Sequence, residues 1–335
     1  ILVRAIRSLL RLPHTPEVWA QLSLPGGGSI PLTHWENILG RGKSADAILN
    51  YPSISRQHAA LCRGEDGAWT VYDLGSKGGT AVNGTPVTEQ APLKLGDTLT
   101  LGGVPVVFLP QTVGEREELE KWLKQSFYPY FYVNSDSFGE FDAFDVENYA
   151  DVMGEDKVEA IRENISDYWG IHDRKSLMKT TDSLLQKGDK YTYAQTLEKL
   201  GEEALALPED SIYYTYKLYA PDEMCKYLGT YYAYNNIGDA GVDAWDYCRC
   251  IRLFAFGYIC GYISYDEYLI HAAPLAVYLQ NEYDSWETMY ESYYYGYLIF
   301  AGRNKNSSSS VIYSDYRYYE IMADKTEIPF RTEER

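Results

Sequence analysis

The chain has 335 residues, and its 48 Asp plus Glu exceed its 30 Lys plus Arg, which gives a formal net charge of −18 at pH 7. This length favours two domains over one core. Residues 1–110 hold 9 basic and 8 acidic residues, so almost all of the excess negative charge lies further along the chain. A strongly acidic surface repels nucleic acid and anionic lipid, which excludes both as partners of the second part. No apolar run reaches the roughly 18 residues that a transmembrane helix needs.

Residues 1–16 carry arginines among apolar residues and are predicted to be a leader or an N-terminal helix. Residues 17–110 contain short apolar or alternating runs separated by Gly, Pro, Asp or Asn. These runs lie at 18–24, 37–41, 59–63, 69–74 and 104–109. Short runs at this spacing predict an antiparallel β-sandwich. Asn83 and Gly84 are expected to form a tight hairpin turn, because both residue types tolerate positive φ.

Three loops of the predicted sandwich have the composition of a phosphate site. They are Gly40-Arg41-Gly42, Ser55-Arg56-Gln57-His58 and Gly75-Ser76-Lys77-Gly78-Gly79-Thr80. An arginine presents a planar fork of donors that matches phosphate oxygens, and a serine hydroxyl with nearby amides completes the cradle. Each loop lies between predicted strands, so we expect the three loops to converge at one end of the sandwich.

At these residues the sequence resembles the forkhead-associated (FHA) domain, a reader of phosphothreonine peptides, over about residues 17–110. The resemblance implies that Arg41 and Ser55 bind the phosphate. It also implies that His58 braces the loop that carries Ser55 and that Thr80 supports the third loop.

The third loop departs from the family pattern. Gly78 stands where the family has an asparagine whose amide holds the peptide main chain. Lys77 adds charge attraction for a phosphate but cannot supply the paired donor and acceptor of an amide. Arg56, next to Ser55, either contacts the ligand or is solvated. The sandwich is therefore predicted either to read phosphothreonine with altered selectivity or to be a docking module that has lost phosphopeptide binding.

After residue 110 the apolar spacing changes from two to three or four, which predicts a mainly α-helical domain. We expect a linker helix at 111–126 and an acidic, tyrosine-rich domain at 127–335, in which 127–144 is irregular. Helices are predicted at 155–168, 173–187, 192–206, 221–234, 242–260, 264–280 and 284–301, followed by a polar loop at 304–310 and a strand or helix at 311–322. Asp173, Ser264 and Asp284 take N-cap positions. The predicted fold class is multidomain β + α, with an FHA-type antiparallel β-sandwich followed by a mainly α-helical domain.

The helical domain contains a set of motifs that belong together. They are Trp245-Asp246-x-x-Arg249-x-x-Arg252, Gly257-Tyr258 followed by Ser264-x-x-Glu267, and Ser285-Trp286. Over about residues 165–303 this set resembles a bacterial domain family of unknown function. The resemblance implies no activity, so the chemistry has to be argued from the residues.

The charged residues of this set allow two interpretations. Asp246 and Arg249 are three apart on one helix face, and an antiparallel return of the next helix would bring Glu267 to Arg249. The candidate cluster is Asp246, Arg249, Arg252 and Glu267, beside Trp245 and Trp286. Either a carboxylate is a general base and an arginine holds an anionic substrate, or the four residues form an ion network that sets helix register. The sequence favours the network, and it predicts no cofactor, no metal site and reduced cysteine thiols.

These features predict a cytoplasmic signalling or scaffold protein. Its sandwich binds a phosphothreonine-containing protein, and its acidic helical domain binds a protein partner, for which a basic protein is suited. Two alternatives stay open: the helical domain is an enzyme or toxin-system component that the sandwich recruits, or it is an acidic inhibitor that covers a basic surface. The phosphothreonine could also belong to the chain itself, for example near Thr180 and Thr181.

Overall fold

The structure, a computed structural model, describes residues 18–25, 29–64, 67–94, 96–110, 113–133, 144–219, 223–303 and 328–330. It divides into two compact units, with the boundary between Glu117 and Glu118. Strands build the first unit and helices the second, which confirms the predicted fold class. The predicted leader at 1–16, loop at 304–310 and last element at 311–322 lie outside the described residues.

Two β-sheets build the first unit. The strands are β1 Ala20–Ser23, β2 Ser29–Leu32, β3 Glu36–Gly40, β4 Ala47–Ile48, β5 Ala59–Arg63, β6 Trp69–Asp73, β7 Thr80–Val82, β8 Thr85–Pro86, β9 Gln90–Leu93, β10 Thr98–Leu101 and β11 Val104–Pro110. One sheet has the order β2-β1-β11-β10-β7-β8, and the other has the order β4-β3-β5-β6-β9.

Neighbouring strands are antiparallel except β3 and β4, which pair in parallel. The reason is local. The amide of Asp46 donates to the carbonyl of Ile38 at 2.8 Å, and the Asp46 carboxylate accepts from the amide of Ile38 at 2.9 Å. These two bonds return the chain beside β3 in the same direction.

The sandwich core follows the alternation of the strands. In β6, Trp69 and Val71 are buried while Thr70 and Tyr72 are partly exposed. Trp69 meets Phe108 of β11 edge-on, with ring centroids 5.3 Å apart. The sequence pattern misses β2, β4, β7, β8, β9 and β10 because each has only two to four residues, too few to show alternation.

The second unit is helical, and α1 crosses the boundary between the units. The helices are α1 Val113–Ser126, α2 Tyr128–Val133, α3 Tyr149–Met153, α4 Glu155–Trp169, α5 Arg174–Lys187, α6 Asp189–Leu205, α7 Glu209–Tyr219, α8 Met224–Asn236, α9 Asp243–Ile259, α10 Tyr265–Glu282 and α11 Trp286–Arg303. In the part of the chain that the structure describes, no helix combines the length and the apolar character that crossing a membrane requires.

Helix α9 is the centre of this unit. It packs against α5, α10 and α11, and its side chains from Ala244 to Gly257 are buried apart from Tyr247. The charged residues of the Trp-Asp motif therefore lie inside the unit. Their environment is set by neighbouring helices and not by solvent.

The helix predictions differ from the structure in three places. Helices α3 and α7 were not expected, and α2 lies in the segment predicted to be irregular. Helix α2 forms because Phe131 packs on Phe127, Phe144 and Phe256, a tertiary cause that leaves no amphipathic pattern.

The predicted N-caps are right at two of three positions. The Asp173 carboxylate accepts from the amide of Ser176 at 2.7 Å, and the Ser264 hydroxyl accepts from the amide of Glu267 at 3.2 Å. The N-cap of helix α11 lies one residue later than predicted. Ser285, not Asp284, caps it by accepting from the amide of Thr288 at 3.2 Å.

Candidate functional site

The first and second predicted loops are joined by their backbones. The amide of Arg41 donates to the carbonyl of Ser55, and the amide of Gly42 donates to the carbonyl of Arg56, both at 3.0 Å. A Cβ on Gly40 would lie 2.2 Å from the Arg56 carbonyl oxygen, and one on Gly42 would lie 2.7 Å from it. Only glycine on both sides of Arg41 permits this approach, which holds Arg41 beside Ser55.

His58 lies fully buried beneath the second and third loops. Its Nδ1 accepts from the amide of Ser55 at 3.0 Å, and its Nε2 lies 3.0 Å from the carbonyl oxygen of Gly79. Because Nδ1 is the acceptor, Nε2 carries the proton and donates to Gly79. The Ser55 hydroxyl in turn accepts from the amide of Lys77 at 3.1 Å. One imidazole and one hydroxyl thus tie the two loops together.

The third loop is organised by Asp73, which the sequence analysis missed. One carboxylate oxygen accepts from the amides of Gly75 and Ser76 at 2.8 and 2.9 Å. The other accepts from the hydroxyls of Ser76 and Thr80 at 2.7 and 2.6 Å. Burial alone would raise the pKa of Asp73, but the hydrogen bonds from Thr80, Ser76 and Gly75 outweigh it and lower the pKa. An aspartate two residues before Gly-Ser is the signal for such an Asx-type turn.

Cationic side chains are exposed on all three loops. Arg41 belongs to the first loop and Lys43 directly follows that loop, while Arg56 belongs to the second loop and Lys77 to the third. Within the described ranges none of these four side chains forms an ion pair or a hydrogen bond. The site therefore presents several cations around Ser55, and no anion among the described residues neutralises them.

Gly78 is constrained by the turn between β10 and β11. A Cβ on Gly78 would lie 2.5 Å from Cα of Gly102 and 3.2 Å from the carbonyl oxygen of Ser53. The amide of Gly102 also donates to the carbonyl of Gly79 at 2.9 Å, so this turn is bonded in place. An asparagine at position 78 has no room unless the turn moves. The departure from the FHA pattern is thus built into the packing of the site.

In the helical unit, Asp246 and Arg249 form a closed ion network with Asp189, the first residue of α6. The Arg249 guanidinium binds both carboxylates, at 2.9 Å for Asp189, and lies 4.3 Å from the ring of Trp245. The Trp245 indole donates to Asp189 at 2.9 Å, and the amide of Lys190 donates to Asp246 at 2.9 Å. Burial raises the pKa of Asp246, although the charge of Arg249 and the Lys190 amide counteract it.

Glu267 does not join this network, so the prediction that Glu267 reaches Arg249 is wrong. Its carboxylate binds the Arg174 guanidinium at 2.8 Å and accepts from the amide of Ser264 at 3.0 Å, where it completes the capping box of α10. The hydrogen bond from the Ser264 amide and the interaction with Arg174 lower its pKa, against the effect of burial. The second carboxylate that binds Arg249 is that of Asp189. The sequence analysis did not predict it because Asp189 lies on a different helix, α6.

Trp286 is not beside Trp245 either. Trp245 packs on Tyr293 and Phe300. Trp286 packs on Trp122 at 5.0 Å and on Phe330 at 5.2 Å, and its indole donates to the carbonyl of Ile328 at 2.8 Å. Residues 328–330 lie beyond the predicted family core. They complete a separate aromatic cluster around Trp286.

The remaining candidates differ in environment. Arg252 is 3% exposed, lies over the ring of Tyr130 and forms no ion pair within the described residues. Thr180 and Thr181 lie inside α5, and Thr181 donates to the carbonyl of Leu177 at 3.0 Å, so neither sits in an extended segment. The five cysteines are free thiols, and the described residues contain no group of three His, Cys, Asp or Glu placed to hold a metal.

The fold and the three loops define the first unit as an FHA domain, and a family model of that description matches residues 37–102. A second family model, "Protein of unknown function (DUF1266)", matches residues 164–332, about half of the chain. This chain belongs to that family. The match ends well after the predicted core of 165–303 and takes in residues 328–330, which pack on Trp286.

The curated proteins to which this chain is similar match about a fifth of its length. The glycogen accumulation regulator GarA of Mycolicibacterium smegmatis is 41% identical over 70 residues, which are 21% of this chain and 43% of that protein. The oxoglutarate dehydrogenase inhibitor of Corynebacterium diphtheriae is 37% identical over 70 residues, 21% of this chain and 48% of that protein. The matches thus span less than half of these curated relatives. Among solved structures, the FHA domain of the Chlamydia trachomatis protein CT664 is 29% identical, with 28% of this chain and 99% of that chain covered and a TM-score of 0.27.

Proposed function

We propose that this chain is a phosphothreonine-peptide-binding signalling or scaffold protein whose helical domain binds a protein partner. The observation that best supports phosphate binding is the arrangement of the loops around Ser55. Backbone hydrogen bonds hold Arg41 beside Ser55, and the Ser55 hydroxyl accepts from the amide of Lys77. The exposed charges of Arg41, Arg56 and Lys77 have no anionic partner within the described residues. A phosphate, which carries about −1.5 to −2 charge, supplies the anion that this arrangement fits.

The residues have different roles in this proposal. Arg41 and Ser55 contact the phosphate, and Arg56 and Lys77 add attraction. Thr80 acts through Asp73, which shapes the third loop. Because Gly78 leaves the peptide main chain without an amide partner, the phosphate supplies a larger share of the binding free energy than the flanking peptide sequence does.

The test is calorimetric titration of the full chain with phosphothreonine peptides, together with the same peptides unphosphorylated or carrying phosphoserine. We expect binding only to the phosphothreonine forms and its loss in the Arg41→Ala variant. Lys94→Ala is the matched control, because it removes one cation from the sandwich at the end where Leu93 pairs with Trp69, away from the three loops. Equal binding of phosphorylated and bare peptides, or unchanged binding by Arg41→Ala, contradicts the proposal.

The helical domain is proposed to bind a basic protein. Its excess of acidic residues favours such a partner, and Tyr168, Tyr191 and Tyr214 are more than half exposed, which suits tyrosine-rich interfaces. The names of GarA and the oxoglutarate dehydrogenase inhibitor describe regulators, which fits an action through binding.

The free thiols support a reducing, cytoplasmic setting. In the proposed organisation a leader or N-terminal helix, 1–16, precedes the sandwich, 17–110, and a linker helix, 111–126, connects the sandwich to the helical domain, 127–335.

Catalysis by the Trp-Asp motif finds no support in the geometry. Asp246 and Arg249 bind each other, and Glu267 is held by Arg174 and the cap of α10. A general base needs a free carboxylate within reach of substrate. The network interpretation therefore stands as the proposed role of Asp246 and Arg249, with Trp245 as its aromatic platform.

A further inference from the structure

Arg252 has an environment unlike that of Arg249 one helical turn earlier. Both guanidinium groups are buried, at 3% and 6% exposure. Arg249 has two carboxylates and an aromatic ring as partners. Arg252 has only rings: its Cζ lies 3.4 Å from the ring centroid of Tyr130, 5.8 Å from Phe256 and 5.9 Å from Trp169. Its Nε is enclosed and has no hydrogen-bond partner.

A buried guanidinium without an anion is unfavourable, because arginine cannot lose its proton to escape the cost of desolvation. Burial lowers the pKa of Arg252, but the group stays a cation. A ring face compensates only part of the cost of burying a cation. The carboxylates nearest in the network, Asp189 and Asp246, are bound to Arg249. The chain therefore keeps, at some cost in stability, a set of hydrogen-bond donors at Arg252 that its described residues do not use.

Tyr293 supplies a second unused donor. Its side chain is 6% exposed, it packs edge-on against Trp245 at 4.7 Å, and its hydroxyl makes no hydrogen bond within the described residues. Trp245, Arg249 and Arg252 are spaced by four and three residues and so share one face of α9, and Tyr293 packs against that face through Trp245. Burial raises the pKa of Tyr293, and the charge of Arg252 acts against this. The hydroxyl thus stays protonated and able to donate.

The surroundings of these two donors reach the protein surface. Trp169, whose ring lies 5.9 Å from the Arg252 guanidinium, is half-buried, and Phe300, which packs on Trp245 as Tyr293 does, is 39% exposed. Aromatic rings exclude water from a bound group while guanidinium and hydroxyl donors fix its orientation. A guanidinium fork matches the oxygens of a phosphate or a carboxylate equally well.

We propose that Arg252 and Tyr293 form an anion-binding site of the helical domain, which takes the phosphate or carboxylate group of a small molecule. The site is independent of the FHA loops. It accounts for a buried arginine that neither the ion network nor phosphopeptide binding uses.

The test uses the full chain with Arg41→Ala and Ser55→Ala, so that the FHA loops no longer bind phosphate. Inorganic phosphate and benzoate are titrated separately at constant ionic strength, and binding is followed by tryptophan fluorescence and by the unfolding temperature. We expect a saturable response to one of the two, which identifies the class of anion. Tyr293→Phe should weaken that response about tenfold, the usual effect of losing one hydrogen bond to a charged group, and Arg252→Met should abolish it.

Two comparisons separate a ligand site from a structural arginine. Tyr214→Phe, which removes a hydroxyl from a tyrosine that is 65% exposed, should leave the response unchanged. Without anion, Arg252→Met should unfold at the same or a higher temperature than its parent, because it removes an unpaired buried cation. The proposal is overturned if neither anion gives a saturable response, or if Tyr293→Phe responds like its parent. If Arg252→Met does not fold, Tyr293→Phe alone decides.

Discussion

His58 accepts a hydrogen bond from the amide of Ser55 at 3.0 Å and presents its other ring nitrogen to the third loop at the carbonyl of Gly79. The imidazole is fully buried. The geometry of the proposed phosphate site therefore depends on a buried residue beneath its loops.

His58→Ala should lower both stability and phosphopeptide affinity. The substitution leaves two backbone groups without partners and opens a cavity, which together cost about 2–4 kcal/mol. Urea unfolding measures the first effect and calorimetry the second. His34→Ala, at an exposed histidine of the same sandwich, is the control and should change neither. Full affinity in a folded His58→Ala protein would contradict the bracing role.

Gly78→Asn should not restore the peptide contact of the FHA pattern. The new side chain meets Cα of Gly102, where even a Cβ would lie at 2.5 Å, so the loop must shift at a cost of about 1–3 kcal/mol. We expect a lower unfolding midpoint and no gain in phosphopeptide affinity. Gly79→Asn is the comparison, because a Cβ there meets no atom within 4 Å, although the φ of 72° adds some strain. Tighter binding with unchanged stability in Gly78→Asn would disprove the packing argument.

Asp73→Asn should change the pH dependence of stability on the acid side. The folded-state pKa of Asp73 lies below its ordinary value of 3.8, so its contribution to the free energy of unfolding is present above that value and is lost as the pH falls through the folded pKa. Asparagine lacks this titration. Urea unfolding from pH 6 down to about pH 3 should show a difference between the two proteins that shrinks as the pH falls. A constant difference would mean that Asp73 acts without its charge.

The Asp246–Arg249 pair should behave as a buried structural network. Arg249→Met leaves the buried carboxylates of Asp189 and Asp246 without their counter-ion and should cost about 3–5 kcal/mol, whereas Asp246→Asn leaves Arg249 paired with Asp189 and should cost less. The double substitution should cost clearly less than the sum of the two, and a double-mutant cycle in denaturant measures the coupling. Glu267→Gln, at the exposed pair with Arg174, should cost at most about 1 kcal/mol. Additive single effects would show that the pair is not coupled.

Gly188→Ala tests the same network from the backbone. A Cβ at this position would lie 2.3 Å from the Asp246 carboxylate and 2.4 Å from the carbonyl oxygen of Leu184. The variant should therefore disturb the bond from the Lys190 amide to Asp246 and destabilise the protein by about 1–3 kcal/mol, as overpacked cores do. Gly170→Ala, where a Cβ meets no atom within 4 Å, is a control that carries only the strain of a positive φ, 64°. If the two variants lost the same amount of stability, steric packing would not be the reason for glycine at position 188.

The sequence predicted the sandwich and its three loops because the features that define them are local. Glycines that flank Arg41, a serine three residues before His58 and the Asn83-Gly84 turn are chain neighbours, and their backbone preferences do not depend on distant contacts. The short strands β2, β4, β7, β8, β9 and β10 and the parallel pairing of β3 with β4 were not predicted, because they depend on which segments meet.

The helical domain shows the opposite balance. The spacing of Asp246 and Arg249 on one helix face was enough to predict that they pair. Which carboxylate completes the network was decided only by tertiary packing: α6 brings Asp189 to Arg249, while Glu267 stays with Arg174 at the start of α10. Likewise, nothing local marks Arg252 as buried without a counter-ion. Charge pairing between separate helices depends on how the helices pack, and the order of residues along the chain does not determine that packing directly. Loop and turn structure, in contrast, depends on the backbone preferences and short-range hydrogen bonds of neighbouring residues.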